Sequence, residues 1–252
     1  MKLPQSNCSI QTNRVKDKIF YHADDLGLDQ NINKKIFALI KQRKLHSISL
    51  IVNMPSFAKA IKGLSETKAM LPIFIHLNLV EGKPVSRPKD IPTLVDANGN
   101  FLGRRKLLQA IAFKQIASSD VEKEIAAQYT KVDKTGLKIY GLDAHQHFYI
   151  FSPIAESAHK FANTKKITYR AYKMMKTTSL KGKFKLQLIK LLAIWSKLIY
   201  FSSLKLPPTW QDAKCLPFYI GSWEKVKMSK VKKGSTVVFH PGSKHDQLCI
   251  LR

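Results

Sequence analysis

The stretch KIFYHADDLG, at residues 18–27, decides the fold of this chain. It joins KIFYHA (18–23), a run with the character of a buried strand, to the adjacent aspartates Asp24 and Asp25. Neighbouring carboxylates repel each other, and burying either one is costly without a partner. An aspartate pair in this position therefore indicates a polar site at the end of a core strand.

Strand and helix patterns alternate along the rest of the chain. Further strands are predicted at residues 46–52, 71–79, 137–145, 166–170 and 235–240. Helices are predicted at residues 31–43, 57–64, 119–134, 153–163 and 183–201. Residues 82–117 are predicted to be an irregular excursion over one end of the sheet. Alternation at this spacing is typical of an α/β fold with a mainly parallel sheet, either a barrel or an open sheet.

The length and composition of the chain predict one domain in a reducing compartment. Its 252 residues are 44% hydrophobic and contain no low-complexity linker, so we expect one domain over 1–252 with a flexible N-terminus at 1–16. The three cysteines are scattered without a CxxC pair, which argues against a disulfide framework and a thiolate zinc site. Neither a signal peptide nor a transmembrane run is recognisable, so a cytoplasmic location is expected.

Positive charge is the unusual bulk property of the sequence. The formal net charge is +26, and residues 165–233 hold 17 Lys and Arg against two acidic residues. Such an excess indicates an anionic partner, namely nucleic acid, a membrane surface or a phosphorylated substrate. An AT-rich genome that favours lysine codons is the alternative explanation. Nucleic acid is not expected as a partner, because no zinc-finger, helix-turn-helix or RNA-recognition signature is present.

Polar side chains recur at the predicted C-terminal ends of the strands. They are Asp24, Asp25, His76, His145, His147, Arg170 and His240. Parallel α/β folds build their sites at this edge of the sheet, so we expect these side chains to lie near one another. Taken singly, each has a simpler interpretation, such as a capped turn for an aspartate or a satisfied core or surface histidine.

An aspartate and two histidines together suit a divalent ion such as Zn²⁺, Co²⁺, Mn²⁺ or Ni²⁺. A cation would stabilise one carboxylate of the aspartate pair and leave the other free as a general base. His145 and His147 could both be ligands if the strand continues through them, but only one could if it ends at His145. His240, in FHPG (239–242), is either a general acid or a loop histidine.

Five sequence blocks resemble the YdjC-like carbohydrate deacetylases, a family that includes chito-oligosaccharide deacetylases and the deacetylases of hopanoid biosynthesis. The blocks are HADDLG (22–27), ISLIVNMPSFAKA (48–60), HLNLVEGKPVS (76–86), GLDAHQHFY (141–149) and FHPG (239–242). Their order and spacing match the family over residues 18 to about 242. The resemblance implies a deacetylase-type (β/α) barrel, distorted or incomplete. It also implies removal of acetyl groups from N-acetylated sugars with a divalent metal, either Zn, Mg, Mn, Co or Ni.

The resemblance also implies roles for the residues at the strand ends. Asp25, His76 and His145 resemble the metal ligands of the family. Asp24 resembles its general base, and His240 its general acid or oxyanion partner.

Three further residues are implied to support the site. Asp143 would orient a ligand histidine, and His147 and Arg170 would lie near the substrate. The sequence departs from the family pattern at His22, Val80 and Ala144. None of these is an implied ligand, so the expected activity stands.

The helix predicted at 183–201 bears on the substrate. Its apolar residues fall on one broad face, with Lys183, Lys190 and Lys197 roughly opposite. The apolar face consists of Phe184, Leu188, Leu191, Leu192, Trp195, Leu198 and Ile199. This pattern is typical of a helix that lies on a membrane, but an ordinary barrel helix packed on the sheet would share it.

The basic region favours a substrate that carries phosphate and is linked to lipid. Some relatives in the family act on an undecaprenyl-phosphate-linked N-acetylhexosamine used to modify lipid A. We therefore expect a deacetylase of a polyprenyl-phosphate-linked N-acetylhexosamine, peripheral on the cytoplasmic face of a bacterial inner membrane. The alternatives are a deacetylase of soluble chito-oligosaccharides and a catalytically inactive, basic protein that binds membranes or nucleic acid.

Overall fold

The computed structural model describes residues 19–67, 71–170, 180–201, 218–220 and 236–241. The predicted flexible segment at 1–16 lies outside these residues, as does more than half of the basic region at 165–233.

Parallel strands form a single sheet in the described part of the chain. The strands are β1 (Phe20–Leu26), β2 (Ser47–Leu50), β3 (Ile73–Leu77), β4 (Ile139–Ala144), β5 (Thr168–Tyr169), β6 (Phe218–Ile220) and β7 (Thr236–Phe239). Their order is β5-β4-β3-β2-β1-β7-β6, and all six neighbouring pairs are parallel. Among these residues β5 and β6 are edges that do not pair with each other, so the described strands form an open, barrel-like sheet. The predicted α/β fold with mainly parallel strands is confirmed.

Helices connect the strands and cover the sheet. They are α1 (Gln30–Lys41), α2 (Phe57–Thr67), α3 (Gly103–Ala112), α4 (Ser118–Asp133), α5 (Ile154–Lys165) and α6 (Leu180–Ile199). Short 3-10 turns occur at Pro88–Asp90, Pro92–Leu94 and His145–Ile150. Each predicted helix is present within a few residues of its predicted bounds.

The prediction for residues 82–117 is wrong in one respect, because α3 lies within them. This helix opens with Gly103, Arg104 and Arg105, and no side chain caps its N-terminus. Capping residues and first-turn acids are the sequence signals of a helix start, and α3 has neither. Strand β6 was not predicted either, since three residues are too few to establish a period.

The turn after β1 is held in place by α1. Asp29 caps this helix by accepting hydrogen bonds from the backbone N–H groups of Asn31 and Ile32. Asn33 is buried within α1, accepts a hydrogen bond from the Gly27 N–H at 2.7 Å and donates one to the Ser56 carbonyl at 3.1 Å. The backbone that carries the aspartate pair is therefore tied to the body of the protein.

The apolar residues of helix α6 differ in exposure across the one broad face that the sequence predicts for them. Leu192 and Ile199 are half-buried, and Leu192 packs against the core. A second apolar group is exposed; it consists of Phe184, Leu188, Leu191, Ile194, Trp195 and Leu198. The helix thus packs on the body along one side and leaves apolar side chains uncovered by the described residues along another.

Candidate active site and metal centre

A cavity of about 260 Å³ opens at the C-terminal edge of the sheet. Its lining consists of Asp24, His76, Arg104, His145, Gln146, His147 and His240. These residues come from the ends of β1 and β3, from the segments after β4 and β7, and from the first turn of α3. The structure thus brings five of the seven predicted strand-end residues into the cavity wall, and adds Arg104 and Gln146 to them.

Asp25 lies next to this cavity at an irregularity near the end of β1, where the pairing with β2 shifts register between Ala23 and Leu26. Its backbone has φ +70°, in the left-handed region that few residues other than glycine adopt. Such strain is kept where the surroundings impose it, often at functional sites. Gly27 follows with φ +94°, and a Cβ atom there would lie 2.5 Å from the Ile51 carbonyl oxygen. The turn therefore requires glycine at residue 27 in order to point the Asp25 side chain into the site.

The Asp25 carboxylate meets two histidines. Its Oδ1 lies 3.1 Å from His145 Nδ1 and 3.5 Å from His76 Nε2. This oxygen is buried, yet it has no hydrogen bond of acceptable geometry in the described part of the chain. A buried carboxylate oxygen without a donor is costly, and a cation between it and the two ring nitrogens would satisfy it.

Asp25, His76 and His145 fit a divalent metal. One potential ligand atom from each lies within 4.8 Å of the others, and all three residues are buried. Two imidazole nitrogens and one carboxylate oxygen are a common donor set for zinc and neighbouring transition metals, and three protein ligands leave room for substrate.

Asp143 fixes the orientation of His76. Its Oδ1 accepts a hydrogen bond from His76 Nδ1 at 2.7 Å, which turns Nε2 toward Asp25. Its Oδ2 accepts a hydrogen bond from the Ser49 hydroxyl at 2.5 Å. Carboxylates that hold the second nitrogen of a ligand histidine in this way are typical of metal sites. Burial alone would lower the pKa of His76, but the charges of Asp24 and Asp143 outweigh it and raise that pKa well above its usual value.

Two of the acidic groups at the site are held ionised. Burial opposes ionisation of Asp24, but His76 and His22 outweigh it, and the pKa of Asp24 lies well below its usual range. Burial likewise opposes ionisation of Asp25, but the nearby rings of His145 and His76 outweigh it, and the pKa of Asp25 is depressed. His240 Nε2 lies 3.5 Å from Asp24 Oδ2, and its side chain is 37% exposed. Asp24 therefore sits between the buried polar residues and a histidine at the mouth of the cavity.

His22 links Asp24 to a second buried polar group. Its Nε2 lies 3.0 Å from Asp24 Oδ1, and its Nδ1 lies 2.7 Å from the Ser47 hydroxyl. Burial and the neighbouring Arg170 guanidinium lower the pKa of His22, so the ring stays neutral. His22, where the family pattern has another residue, is thus built into the site.

Arg170 is buried behind the cavity and does not line it. Its guanidinium stacks 3.5 Å above the Phe74 ring, and its Nη1 lies 2.9 Å from His22 Nδ1. Arg170 therefore reaches the predicted site, but its described contacts are with protein groups on the side away from the cavity.

Strand β4 ends at Ala144, so of the two histidines in HQH (145–147) only His145 is in a position to be a metal ligand. Gln146 and His147 have φ of +53° and +63°, so the chain turns sharply after His145. His145 joins the Asp25 cluster, whereas His147 lies outside it and lines the cavity. Burial lowers the pKa of His147 to about 4, so its ring is neutral at physiological pH.

Three residues of the site were missed by the sequence analysis. Arg104 lines the cavity from α3, a helix that lacks start signals in the sequence. Gln146 donates a hydrogen bond to the Glu81 carboxylate, which also lies 3.9 Å from His145 Nε2. The blocks HLNLVEG and DAHQH contain Glu81 and Gln146, so their position beside the histidines was the only available signal.

The fold and the site define an α/β protein with an aspartate–histidine cluster at the ends of parallel strands. Residues 18–250 match the sequence profile of the YdjC-like proteins, and the chain belongs to that family.

Named relatives are carbohydrate deacetylases. One from Brevibacillus brevis is 31% identical over 154 residues, which cover 61% of this chain and 58% of the relative. One from Clostridium beijerinckii is 29% identical over 170 residues, which cover 64% of this chain and 66% of the relative. A third, from Danio rerio, is 31% identical over 155 residues, which cover 61% of this chain and 49% of the relative. The alignments therefore span about half to two thirds of these curated relatives.

A solved structure supports the fold. A proposed cellobiose-phosphate cleavage protein of Enterococcus faecalis superposes with a TM-score of 0.54 at 21% identity, over 70% of this chain and 66% of that one. Within the described residues, no helix combines the length and the apolar character needed to cross a bilayer.

Proposed function

We propose that this protein is a metal-dependent N-deacetylase of acetylated amino sugars. The observation that carries the proposal is the buried cluster of Asp25, His76 and His145 beside a cavity that also exposes Asp24 and His240. The names of the family's curated relatives support the same reaction. The reaction adds water across the acetamide, breaks its C–N bond and yields acetate and a free amino sugar.

A divalent ion, either Zn, Mg, Mn, Co or Ni, would be held by Asp25, His76 and His145. When bound, it supplies Lewis-acid polarisation of a carbonyl oxygen and lowers the pKa of water. Asp143 keeps His76 in the tautomer that presents Nε2 to the site. The depressed pKa of Asp25 keeps its carboxylate available as a ligand across the physiological pH range.

Asp24 is placed to act as the general base. Its pKa is depressed, so it is ionised at neutral pH and can accept a proton from the attacking water. Its Oδ1 is engaged by His22, which leaves Oδ2 on the side of His240.

His240 is placed to act as the general acid. Its ring is part of the cavity lining and is still open to solvent, so it can donate a proton to the departing amine and be reprotonated. The role of oxyanion partner, which the resemblance also allows, would require the same location at the cavity wall.

We further propose that the substrate is a polyprenyl-phosphate-linked N-acetylhexosamine of the kind used to modify the bacterial envelope. The net charge of +26 favours an anionic substrate and a peripheral location on the cytoplasmic face of an anionic inner membrane. Arg104 adds a local argument, because an arginine in the cavity wall is suited to bind a phosphate. Soluble chito-oligosaccharides are less favoured, since no Phe, Tyr or Trp in the described residues lines the cavity to stack on sugar rings.

The proposal is tested by measuring acetate release from purified protein, either EDTA-treated or metal-loaded. The substrates are a polyprenyl-phosphate-linked N-acetylhexosamine and diacetylchitobiose, and Asp24→Asn is the inactive control. We expect metal-dependent release from the lipid-linked sugar. No release from either substrate, by folded and metal-loaded protein, would contradict the deacetylase proposal.

The kinetics of the Arg104→Gln variant distinguish a phosphate-bearing substrate from a neutral one. If Arg104 binds the phosphate, this variant has a KM for the phosphate-bearing sugar raised by roughly tenfold or more, while kcat/KM for diacetylchitobiose stays within about twofold. Arg105→Gln, at the next and exposed position of α3, is the matched control. Equal effects of Arg104→Gln on both substrates would remove the argument for a phosphate.

A further inference from the structure

Helix α6 carries a regular row of exposed apolar side chains. Phe184, Leu188, Leu191, Trp195 and Leu198 follow one another at intervals of four and three residues, which places them on one face of the helix. Each of the five is between 50 and 68% exposed. We call these five residues the α6 stripe. Large apolar side chains exposed in a continuous row are uncommon on a protein surface that meets only water.

A neighbouring side of α6 is already used for packing. Ser196 is buried, and its hydroxyl accepts a hydrogen bond from the Ser152 N–H at 3.2 Å. The Tyr200 hydroxyl accepts a hydrogen bond from the Ile116 N–H at 3.1 Å. Leu192 packs against the core from the same side. The stripe is therefore a second apolar face on a helix whose first face already docks it to the protein.

The charges of α6 select an anionic partner. The helix contains five lysines and no acidic residue. The lysines are Lys181, Lys183, Lys185, Lys190 and Lys197. A second copy of the chain seated on the stripe would bring two sets of these charges together without acids to neutralise them. A membrane with anionic headgroups offers both an apolar interior for the stripe and negative charge for the lysines.

The position of α6 connects the stripe to the cavity. Trp195 Nε1 donates a hydrogen bond at 2.8 Å to the carbonyl of Ala112, the last residue of α3. The first turn of the same helix supplies Arg104 to the cavity wall. Eight residues of helix separate Arg104 from Ala112, a length of about 12 Å. A surface that met the stripe would thus lie one short helix away from the cavity.

Phe113 and Phe201 extend the apolar surface at this end of α6. Both are exposed, and Phe113 directly follows the residue that Trp195 contacts. Lys114 lies over the Phe201 ring at 4.5 Å, so a cation accompanies the apolar groups here too.

We propose that the α6 stripe is the surface by which this protein docks on an anionic lipid bilayer, with the helix lying in the interface. The inference deepens the proposed function and rests on it for the reason why the protein visits a membrane. The stripe enters the headgroup region, and the described lysines Lys190 and Lys197 contact the anionic headgroups. Docking in this position would present the cavity to sugars carried at the membrane surface.

The test is co-sedimentation with vesicles of phosphatidylcholine, alone or with about one third phosphatidylglycerol. The test variant is Leu188→Glu/Leu191→Glu, which places two charges on exposed positions of the stripe. The matched control is Asn31→Glu/Ala38→Glu, which makes the same change of charge at exposed positions of α1. Circular dichroism and thermal unfolding of each variant show whether it is folded.

We expect the wild-type protein to bind the anionic vesicles and not pure phosphatidylcholine. The stripe variant should lose about tenfold or more in partitioning, and the control should stay within about twofold of wild type. A neutral variant, Leu188→Gln/Leu191→Gln, should also bind less, because the loss of apolar contact does not depend on added charge.

Three results would overturn the proposal. The first is that the wild-type protein does not bind the anionic vesicles. The second is that the stripe variant binds them as well as wild type does. The third is that the wild-type protein is a dimer in solution and the stripe variant is a monomer, which would mean that a second copy of the chain covers the stripe. Acetate release by the wild-type protein from the polyprenyl-phosphate-linked sugar and from diacetylchitobiose, both measured without vesicles, tests the deacetylase proposal separately. Failure of one proposal is then distinguishable from failure of the other.

Discussion

Asp143 shows how a residue outside the cavity can control the site. It is fully buried, it accepts the hydrogen bond from His76 Nδ1 at 2.7 Å, and it is itself held by the Ser49 hydroxyl. The His76 ring can turn only by breaking this hydrogen bond. A second carboxylate next to the proposed ligands therefore sets both the tautomer and the direction of one of them.

Asp143→Asn should weaken metal binding by about 10- to 100-fold while the protein remains folded, because the neutral amide holds His76 less firmly. Calorimetric titration of the EDTA-treated protein with Zn²⁺ measures the affinity. Ser49→Ala removes a hydroxyl that bonds Asp143 and His22 but does not contact His76, so it is expected to have a smaller effect on metal binding. An Asp143→Asn variant that binds Zn²⁺ as tightly as wild type would show that Asp143 does not orient the ligand.

His147 should make stability depend on pH. Its folded-state pKa is about 4, whereas a histidine in the unfolded chain has a pKa of about 6.5. Between these values the unfolded state binds more protons, so the free energy of unfolding falls as the pH is lowered through this window. In EDTA-treated protein, lowering the pH from 7 to 5 should reduce the free energy of unfolding of wild type by about 2 kcal/mol more than that of His147→Gln.

Urea unfolding of both proteins at the two pH values measures this difference. The comparison with His147→Gln removes the contribution of every other titrating group that the two proteins share. Equal losses in the two proteins would mean that His147 is already protonated, or equally accessible to protons, in the folded state.

The site residues could be predicted from the sequence where they lie at the end of a recognisable strand. Asp24, Asp25, His76 and His145 follow or end apolar runs, so their shared edge could be predicted from the order of the segments. Arg104 could not be found in this way, because its place in the cavity depends on how α3 crosses the end of the sheet. Such tertiary placement leaves no local pattern in the sequence.

At the scale of elements, the turn between β1 and α1 matters most. It directly follows the aspartate pair at the end of β1, and Gly27 within it has φ +94° and no space for a Cβ atom beside the Ile51 carbonyl. Its N–H is bonded to Asn33, so the turn cannot move away from Ile51 without losing that hydrogen bond.

Gly27→Ala should therefore destabilise the protein by more than about 2 kcal/mol, the sum of an unfavourable left-handed φ and a steric clash. Gly136→Ala is the matched control, since Gly136 has φ +75° with open space around it and should cost only about 1–2 kcal/mol. Urea unfolding of the two variants measures the difference. Equal stability of the two variants would mean that the turn relaxes and that its geometry is not imposed by packing against Ile51.

Helix α6 shows what an apolar pattern can and cannot predict. The pattern at 183–201 predicted a helix, and the helix is present. It could not separate the residues that pack on the body from those that face outward, because both sets are large and apolar. Tertiary contacts, such as the hydrogen bond of Trp195 to Ala112 and the burial of Ser196, fix the rotation of the helix on the body.

At the scale of the whole molecule, the sheet order creates the site. Asp25 on β1 and His76 on β3 are separated by β2, so their strands lie about 10 Å apart. Their side chains nevertheless approach to 3.5 Å, because both reach over the end of β2, a strand of only four residues. On the other side of β1, β7 brings His240 toward Asp24. Strand order depends on contacts between distant segments, which is why the alternation of strands and helices alone allowed either a barrel or an open sheet.

The most direct test of the account is a titration of EDTA-treated protein with a divalent metal, in which bound metal and acetate release are measured together. The account predicts that activity on an N-acetylated sugar rises in proportion to bound metal and saturates at about one ion per chain. Asp24→Asn should bind the ion comparably and release no acetate, whereas His76→Ala should bind it weakly. Acetate release that is independent of bound metal, or that survives in Asp24→Asn, would contradict the account.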